Sequence, residues 1–347
     1  MPRPRLVVDP WTVCEPDVDP RVAGVTESLF ALSNGYVGMR GVLDEGDPCH
    51  SPGTYMSGVH EQHPLSYPEG GYGHPEQGEA MVGVADGSGI RLHVDGVPLD
   101  VRETPPEVHT RHLDLRTGIL TRHVEWTTPA GTPMQVRSER LVSLVDRSAA
   151  AMRYTVTAPH VGARVILRSG LVANDEASEI ENDDPRVSEV IARPFVPLAR
   201  RRSDTGGLLV HRTAHSSISV AACAEHDVRG AGAARVELSE DRVMTTIVAD
   251  LGPGESLTLV KYLGYAWSSD CTPEGLAERA EASVAGSRDL GWDGLIAAQH
   301  ACLEEFWSTA DVEVDGDPAL QQALRFGLFQ LFSAAACVSG APWARRA

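Results

Sequence analysis

A long series of short alternating segments is the feature that most limits how this chain can fold. From about residue 80 to residue 266, apolar and polar residues alternate in short pieces, and turn-forming residues separate the pieces. Alternation with a period of two is typical of strands that bury one face. Because no helical periods interrupt the series, the pattern predicts a mainly β chain with antiparallel sheets stacked as a β-sandwich. A β-barrel is the alternative.

The clearest element of the series is a hairpin that begins at Ile90. Apolar residues occupy alternate positions up to Val94, Asp95-Gly96 follows, and alternation resumes at Val97. An Asp-Gly pair between two alternating runs is the strongest short-range signal for a two-residue hairpin turn. Further strands are predicted at 119–126, 134–142, 149–157, 163–168, 217–223, 243–249 and 256–266.

Two stretches lack any sustained period. Residues 43–80 are rich in Gly, Pro, His and Tyr, and residues 174–206 carry an acidic run followed by arginines. Irregular stretches of this length are usually functional loops or disordered segments. The charge runs predict solvated loops; they consist of Glu179, Glu181, Asp183 and Asp184, and then Arg200, Arg201 and Arg202.

The period becomes helical after Trp267. Thr272 is a suitable cap and Pro273 suits the first helical position, so a helix is predicted to begin there. A second helix carries an apolar stripe from Trp292 to Phe306, which predicts core packing. A third helix is predicted to begin at Asp317-Pro318, again a cap followed by proline.

The third helix is apolar on nearly every face. Such a helix is normally buried on all sides, yet only residues 338–347 follow it, which is too little chain to cover it. Its exposed side predicts self-association of the chain. The residues concerned are Leu320, Leu324, Phe326, Leu328, Phe329, Leu331 and Phe332.

The composition of the chain argues against several classes of function. A net charge of −18 argues against a nucleic-acid surface, which needs clustered cations. No apolar run approaches the length of about 20 residues that a membrane span requires, and the N-terminus has no signal-peptide core. Six dispersed cysteines without a C-x-x-C pair fit neither a disulfide scaffold nor a structural zinc site. A cytoplasmic protein with reduced thiols is predicted.

The most distinctive segment runs from Glu27 to Gly41. It reads Glu-Ser-Leu-Phe-Ala-Leu-Ser-Asn-Gly-Tyr-Val-Gly-Met-Arg-Gly. Turn chemistry alone interprets Asn34-Gly35 as a tight turn between two strands, with Gly38 and Gly41 permitting close approach of the backbone.

This segment resembles the N-terminal signature of glycoside hydrolase family 65, which includes maltose, kojibiose and trehalose phosphorylases and some trehalose hydrolases. Segments similar to the family continue in order along the chain. They are Gly53-Thr54-Tyr55 with Gly58-Val59, Leu113 to Arg122, Glu139 to Ser143, Phe306-Trp307, Gly316-Asp317 and Gln321 to Phe326.

The resemblance implies a division into three parts. Residues 1–268 would form an N-terminal β-sandwich, residues 269–312 a helical linker, and residues 313–347 the first helix of an incomplete (α/α) catalytic barrel. In the family that barrel carries the general acid, the phosphate site and most sugar-binding residues, so no catalytic residue can be assigned here. The chain alone is expected to be inactive, and to meet a disaccharide only through the missing barrel.

The parent enzyme implied by the resemblance cleaves an α-linked glucosyl disaccharide with inversion. Inorganic phosphate serves as co-substrate, or water replaces it in the hydrolases; no other cofactor is expected. The loop residues predicted to lie near substrate are Asn34, Tyr36, Arg40, Tyr55 and Glu61.

Two other functions remain open at this point. One is a free-standing carbohydrate-binding module, with Tyr55, Tyr67 and Tyr72 as candidate contacts, and the other is one subunit of a split enzyme completed by a separate barrel. His60-x-x-His63, with His50 and His74 nearby, is interpreted as loop histidines, and no metal site is predicted.

Overall fold

The structure, a computed structural model, describes residues 4–45, 53–64, 73, 77–174, 193–230 and 232–335. Within these ranges lie twenty strands and three α-helices. The strands are β1 (Val7–Asp9), β2 (Thr12–Glu15), β3 (Leu32–Ser33), β4 (Val37–Met39), β5 (Thr54–Met56), β6 (His60–Pro64), β7 (Gln77–Met81), β8 (Ile90–Val94), β9 (Val97–Pro98), β10 (Val108–Asp114), β11 (Ile119–Thr127), β12 (Pro133–Val142), β13 (Ala149–Thr157), β14 (Ala163–Val172), β15 (Phe195–Arg202), β16 (Gly207–Thr213), β17 (Ser219–Arg229), β18 (Ala233–Leu238), β19 (Arg242–Leu251) and β20 (Ser256–Ser268). The helices are α1 (Ala23–Leu29), α2 (Pro273–Ala310) and α3 (Pro318–Ala335).

Two large sheets face each other. The first has ten strands in the order β1-β2-β10-β11-β12-β13-β20-β17-β16-β15, and the second has five in the order β18-β19-β14-β8-β9. Paired strands are antiparallel throughout both sheets. The two sheets enclose one continuous apolar core, which includes Trp126, Tyr154, Leu167 and Ile247. The predicted antiparallel sandwich is therefore confirmed.

Alternation explains why strands such as β14 and β19 have one buried face. In β14, Val165 and Leu167 are fully buried, whereas Arg164 before them and Arg168 after them are exposed. The Asp95-Gly96 hairpin is confirmed as well, since β8 pairs with β9 across these two residues. The first sheet is open, with β1 and β15 at its two edges, so the barrel alternative is wrong.

Helix α2 adds a third layer on the outer face of the ten-stranded sheet. Leu276, Ala280 and Val284 pack against Val260 and neighbouring sheet residues in a second apolar cluster. The approach is close, since a Cβ at Gly264 of β20 would lie 2.3 Å from the carbonyl oxygen of Ala280. Only glycine fits that position.

The linker that was predicted as two helices is one element with a break. Thr272 caps its start, and the Thr272 hydroxyl accepts a hydrogen bond from the Gly275 amide at 3.2 Å. At Gly291 the backbone turns to φ 67° and ψ 173°, so the two predicted helices meet at a kink. The kink lets the second half carry Trp307 toward the N-terminal strands, where its indole Nε1 donates to the Leu115 carbonyl at 2.8 Å.

Helix α3 packs with a face that the apolar pattern did not indicate. Its buried residues recur every fourth position and are mostly polar: Gln321, Arg325, Phe329 and Ser333. Leu320 and Leu331 are 52% and 69% exposed. Two of the polar residues are buried because they have partners on the preceding segment: Gln321 bonds the backbone of 312–314, and Arg325 pairs with Asp311 at 2.7 Å.

The predictions that residues 43–80 and 174–206 form irregular loops are wrong in part. Within 43–80 the structure has β5, β6 and β7, and within 174–206 it has β15. Arg200, Arg201 and Arg202 lie on β15, an exposed edge strand, rather than on a loop. Strands β7 and β15 bury few residues and therefore lack the apolar alternation that identifies a strand. The acidic run at 179–184 lies outside the described residues.

No helix in the described part of the chain is long and apolar enough to cross a membrane.

Candidate functional site

Asn34 forms the turn at the centre of the most distinctive segment. Its side-chain oxygen accepts hydrogen bonds from the amides of Tyr36 and Val37 at 3.0 and 2.9 Å. Its side-chain nitrogen donates to the carbonyls of Ser143 and Arg147 at 2.7 and 2.9 Å. Asn34 is fully buried, and its four hydrogen-bonding positions are used. It therefore fastens the turn to the loop that follows β12.

Two glycines make this turn possible. Gly35 has φ 79°, in the left-handed region that favours glycine. A Cβ at Gly41 would lie 2.5 Å from the Cβ of Phe30, so α1 and the strand segment could not approach as they do with any larger residue. The resulting segment is closely packed on both sides.

Tyr36 and Arg40 flank strand β4 of this segment. The Tyr36 hydroxyl accepts a hydrogen bond from the Trp267 amide at 3.2 Å, and the Arg147 guanidinium lies 4.7 Å from the centre of its ring. The Arg40 guanidinium donates to the Gly24 carbonyl at 3.3 Å and lies 3.4 Å from the Glu27 carboxylate. Both side chains are half-buried.

Tyr55 lies opposite Gly38 in the small sheet formed by β3, β4 and β5. Its side chain is half-buried. The structure thus brings Tyr55 to the same sheet as the Asn34 turn. Tyr67 and Tyr72, together with His50 and His74, lie outside the described residues.

Glu61 holds a different loop. Its carboxylate accepts hydrogen bonds from the amides of His215 and Ser216, from the Ser216 hydroxyl and from the Gln62 amide, at 2.8–3.2 Å. Burial raises the pKa of Glu61, but these hydrogen bonds outweigh it, and the pKa lies below its usual value. The ionised carboxylate therefore fixes the turn between β16 and β17.

Beneath the Asn34 segment lies a set of charged side chains that we call the buried ion cluster. Its six members are Glu15, Asp44, Glu45, Arg111, Arg122 and Arg140, each with a side chain no more than 3% exposed. Three arginines face three carboxylates, so the charges balance if all six are ionised.

The arginines of the cluster project from three neighbouring strands. Arg111 on β10 contacts Glu15 at 2.7 Å. Arg140 on β12 contacts Asp44 at 2.8 Å, and Arg122 on β11 contacts Asp44 at 3.2 Å as well as Glu45. The acidic residues 44 and 45 thereby anchor the end of the 40–45 segment to the sheet.

The two neighbouring carboxylates of the cluster differ in their pKa. Burial raises the pKa of Asp44, but Arg140 and Arg122 outweigh that effect and lower it. For Glu45 burial dominates, the Asp44 charge adds to it, and the pKa is raised despite Arg122. The Tyr154 hydroxyl donates to Glu45 at 2.7 Å.

Sequence reasoning missed this cluster, although a signal was present. In β10, β11 and β12 the arginines occupy inward positions: Arg111 is two residues from buried Leu113, Arg122 two from Val124, and Arg140 two from Ser138. A charge on the apolar face of an alternating strand indicates a buried partner. The partners come from distant segments, which the local pattern does not identify.

These carboxylates hold the fold together and are poorly suited to proton transfer. A general acid needs a raised pKa and access to the leaving oxygen. Asp44 and Glu61 have lowered pKa values, and Glu45, whose pKa is raised, is enclosed by Arg122 and Tyr154. Among the described residues there is also no group of three or more His, Cys, Asp or Glu side chains that could hold a metal ion.

Comparison with known proteins decides what kind of sandwich this is. Residues 13–306 match the N-terminal domain of glycosyl hydrolase family 65. This chain belongs to that family. The predicted resemblance is confirmed, and the match includes the sandwich and most of α2.

Relatives in family 65 include several phosphorylases. An uncharacterized glycosyl hydrolase of Mycobacterium tuberculosis is 46% identical over 95% of this chain and 42% of its own length. An alpha,alpha-trehalose phosphorylase of Thermoanaerobacter brockii is 31% identical over 95% of this chain and 43% of its own. A maltose phosphorylase of Bacillus subtilis is 26% identical, with 94% and 42% covered. The chain thus spans about two fifths of the length of these relatives.

The fold agrees with a solved family 65 relative. A putative kojibiose phosphorylase from the human microbiome superposes with a TM-score of 0.85 at 19% identity, covering 96% of this chain and 43% of that one. At this identity the similarity concerns the fold alone. The proximity of Asn34, Tyr36, Arg40, Tyr55 and Glu61 to a substrate stays a prediction, as does the boundary at residue 312.

Proposed function

We propose that this chain is the non-catalytic N-terminal sandwich of an inverting family 65 phosphorylase acting on α-linked glucosyl disaccharides of the maltose, trehalose or kojibiose type. The observation that carries the proposal is the match of residues 13–306 to the family's N-terminal domain. Phosphorylases of trehalose and maltose among the relatives favour phosphorolysis over hydrolysis. A cytoplasmic location belongs to the same proposal, because the dispersed cysteines fit no disulfide scaffold.

The reaction proposed for the longer protein needs two groups on opposite sides of the sugar. A carboxylic acid protonates the leaving oxygen, and inorganic phosphate attacks the opposite face of the ring, which inverts the anomeric centre. Asp44 and Glu61 have lowered pKa values, and Glu45 is enclosed. These properties favour a structural role for the three carboxylates over a role as the general acid. The acid and the phosphate site are assigned to the catalytic barrel of the family.

The proposed contribution of the sandwich is to present a rigid loop surface to the substrate site. Asn34, Tyr36, Arg40 and Tyr55 share one region, and Glu61 fixes the neighbouring β16–β17 turn. Irregular loops held on a rigid scaffold commonly carry binding residues. Half-buried Tyr36, Arg40 and Tyr55 keep part of their surface available for contact.

A direct test is an assay of the purified chain. Maltose, trehalose and kojibiose would each be incubated with inorganic phosphate, and release of glucose 1-phosphate measured against a matched blank. We expect no turnover. Turnover that survives repurification and disappears in Glu45→Gln would overturn the non-catalytic role.

The same preparation tests the carbohydrate-binding alternative. In isothermal titration with maltose and trehalose we expect no heat of binding at millimolar sugar. Saturable binding that Tyr55→Ala abolishes would instead identify a free-standing carbohydrate-binding module.

The loop assignment is tested in a full-length relative, such as the trehalose phosphorylase, at the position aligned with Arg40. Replacing that residue by alanine is expected to raise KM or lower kcat, and also to lower Tm because the contacts with Gly24 and the buried Glu27 are lost. An unchanged kcat/KM with a lowered Tm would assign Arg40 a purely structural role.

A further inference from the structure

Strand β18 is an unprotected edge of the five-stranded sheet. It lies first in the order of that sheet and, in the described part of the chain, pairs only with β19. Edge strands are normally protected by being short or by carrying a proline or a β-bulge. Strand β18 has six residues and no proline, and its register with β19 is continuous.

The other three edges of the two large sheets have such protection. Strand β9 has two residues and ends in Pro98. Strand β15 contains Pro197 and a bulge next to it. Strand β1 has three residues, and the Gln322 side chain donates to its Val7 carbonyl at 3.0 Å. Of these four edges, β18 is therefore the one that is open to a further strand.

The register with β19 determines which backbone groups of β18 point outward. The Ser239 amide donates to the Arg242 carbonyl at 2.8 Å, so these two residues are a hydrogen-bonded pair. In an antiparallel ladder, hydrogen-bonded and non-hydrogen-bonded pairs alternate. The odd-numbered residues of β18 therefore bond β19, and the N–H and C=O groups of Ala234, Val236 and Leu238 point toward the open edge.

The side chains of β18 divide between the two faces of the sheet. Arg235 and Glu237 lie on the outer face, 3.6 Å apart, with side chains that are 81% and 54% exposed. Val236 is buried on the inner face, and Leu238 is half-buried against the core. The exposed pair within one chain is weak, and more than half of each charged side chain is accessible to a further contact.

These features are self-complementary. If a second copy is aligned antiparallel with a two-fold axis at Val236, the two copies of Val236 exchange both backbone hydrogen bonds. The same register places Ala234 opposite Leu238 of the second copy, in a further hydrogen-bonded pair. Arg235 of each copy then lies opposite Glu237 of the other, in a non-hydrogen-bonded pair, where the side chains are closest.

The neighbouring two-fold registers lack this match. An axis at Arg235 places the two Arg235 side chains directly opposite each other, and an axis at Glu237 does the same for the two Glu237 side chains. Like charges directly opposite each other destabilise a sheet. An axis nearer either end of the strand pairs fewer residues of β18. The sequence of β18 therefore selects the axis at Val236.

We propose that β18 is an interface through which two copies of this chain pair antiparallel, so that their five-stranded sheets join into one continuous sheet. The net charge of −18 opposes the approach of a second copy, but at physiological ionic strength this repulsion is screened beyond about 8 Å. The partner is selected by the register of backbone and side chains at the edge, where Arg235 and Glu237 add no net charge. The proposal concerns association only and is independent of the phosphorylase assignment.

Sedimentation equilibrium of the full chain at an ionic strength of about 0.15 M tests the pairing. All proteins carry Leu320→Gln and Leu331→Gln, so that the exposed side of α3 does not contribute. We expect a dimer, and a monomer at every concentration would overturn the proposal.

A proline at the edge tests the backbone bonds. Ala234→Pro removes an N–H that points toward the open edge and no bond to β19, so it is expected to prevent pairing without unfolding the sandwich. Urea unfolding establishes that the variant is folded. A folded Ala234→Pro variant that still dimerises would overturn the proposal.

Charge reversal tests the register without removing a backbone group. Arg235→Glu places glutamates opposite each other, and Glu237→Arg places arginines opposite each other. Each variant alone is expected to raise the Kd of the dimer at least about tenfold, which is about 1.4 kcal/mol. An equimolar mixture of the two is expected to restore pairing, because every arginine then faces a glutamate.

The two reversals also separate local pairing from total charge. Glu237→Arg makes the net charge less negative, so it would strengthen association if total charge decided the outcome. A stronger dimer of Glu237→Arg, or a mixture that fails to restore pairing, would overturn the proposed register. A further arm replaces residues 175–192 by a Gly-Ser linker of equal length. If the chain dimerised only after that replacement, this segment and not a second copy would occupy the edge, which would also overturn the proposal.

Discussion

The Lys261 ammonium group lies 2.8 Å from the Gly170 carbonyl oxygen, so a buried cation on β20 of the ten-stranded sheet bonds β14 of the five-stranded sheet. It also donates to the Gly89 carbonyl at 3.3 Å. Lys261 is the only lysine of the sequence and is fully buried. Burial lowers its pKa to about 7.

This pKa makes the stability of the sandwich depend on pH in a defined direction. The unfolded chain keeps the Lys261 proton up to its usual pKa of 10.5, whereas the folded chain releases it near pH 7. Between these values the unfolded state binds more protons, so the free energy of unfolding rises with pH, by about 1.4 kcal/mol per pH unit. We expect wild type to show this rise relative to Lys261→Met in urea unfolding. Parallel pH profiles of the two proteins would contradict the prediction.

Asp44→Asn is expected to destabilise the chain strongly. Asp44 contacts Arg122 and Arg140 and accepts a hydrogen bond from Ser138. Removing one partner of a buried ion pair costs about 3–5 kcal/mol, because it leaves buried charge uncompensated. The control is Asp100→Asn, whose partner Arg102 is 45% exposed; it should cost about 0–1 kcal/mol. If Asp44→Asn and Asp100→Asn lowered the free energy of unfolding equally in urea, the buried ion pairs of Asp44 would not contribute more to stability than an exposed pair.

Glu61→Gln is expected to cost about 1.5–3 kcal/mol, because hydrogen bonds to a charged group are lost. Since the folded pKa of Glu61 is lowered, its contribution is present above its usual pKa of 4.5 and is lost as pH falls through the folded value. The difference from wild type in thermal unfolding should therefore shrink below about pH 4.5. Glu79→Gln on the paired strand β7, with a 63% exposed side chain, is the control and should have little effect. If the difference in thermal stability between wild type and Glu61→Gln stayed constant with pH, the ionised carboxylate of Glu61 would not be the source of the stabilisation.

Phe329→Ala is expected to cost about 3–5 kcal/mol, the usual loss for a buried phenylalanine. Phe329 is 3% exposed and belongs to the main core, although it lies on α3. Leu331→Ala, two residues further at 69% exposure, should change stability by less than about 0.5 kcal/mol. If the two substitutions had equal effects, α3 would not be an integral part of the sandwich.

The exposed side of α3 is expected to promote association between copies. Leu320 and Leu331 are 52% and 69% exposed, and exposed apolar residues of this kind favour contact with another surface. The double variant Leu320→Gln with Leu331→Gln should reduce the rise of the sedimentation coefficient with concentration. Concentration-independent sedimentation of the wild type would show that no such association occurs.

Most strands that bury one face followed from the sequence, although β10 and β18 were not predicted. The hairpin at Ile90 and strand β19 alternate because every second residue contacts the core, whereas β20 is buried on both faces where α2 covers it. The edge strand β15 was missed because most of its residues are exposed on both faces. Its position depends on pairing with β16, a partner that a local pattern does not contain.

The sequence identified Asn34 and Glu61 as candidate site residues but did not predict their contacts. Asn34 was expected in a turn and forms one, yet its bonds to the carbonyls of Ser143 and Arg147 join segments more than one hundred residues apart. Glu61 likewise bonds the β16–β17 turn, which lies more than one hundred residues away along the chain. Pairings at such separations follow from the tertiary arrangement, which sequence periodicity does not determine.

The order of synthesis has a consequence for the buried ion cluster. Asp44 leaves the ribosome 96 residues before its partner Arg140, and Glu15 precedes Arg111 by the same interval. Strand β13 likewise lacks its neighbour until β20 has been synthesised, since Ala149 pairs with Gly264. During this interval the N-terminal carboxylates remain hydrated and the sheet has an open edge, so folding to the native sandwich is delayed until β20 has emerged. Contacts this distant along the chain make folding slow, so the N-terminal third completes its buried ion pairs and its sheet only after the later strands have been synthesised.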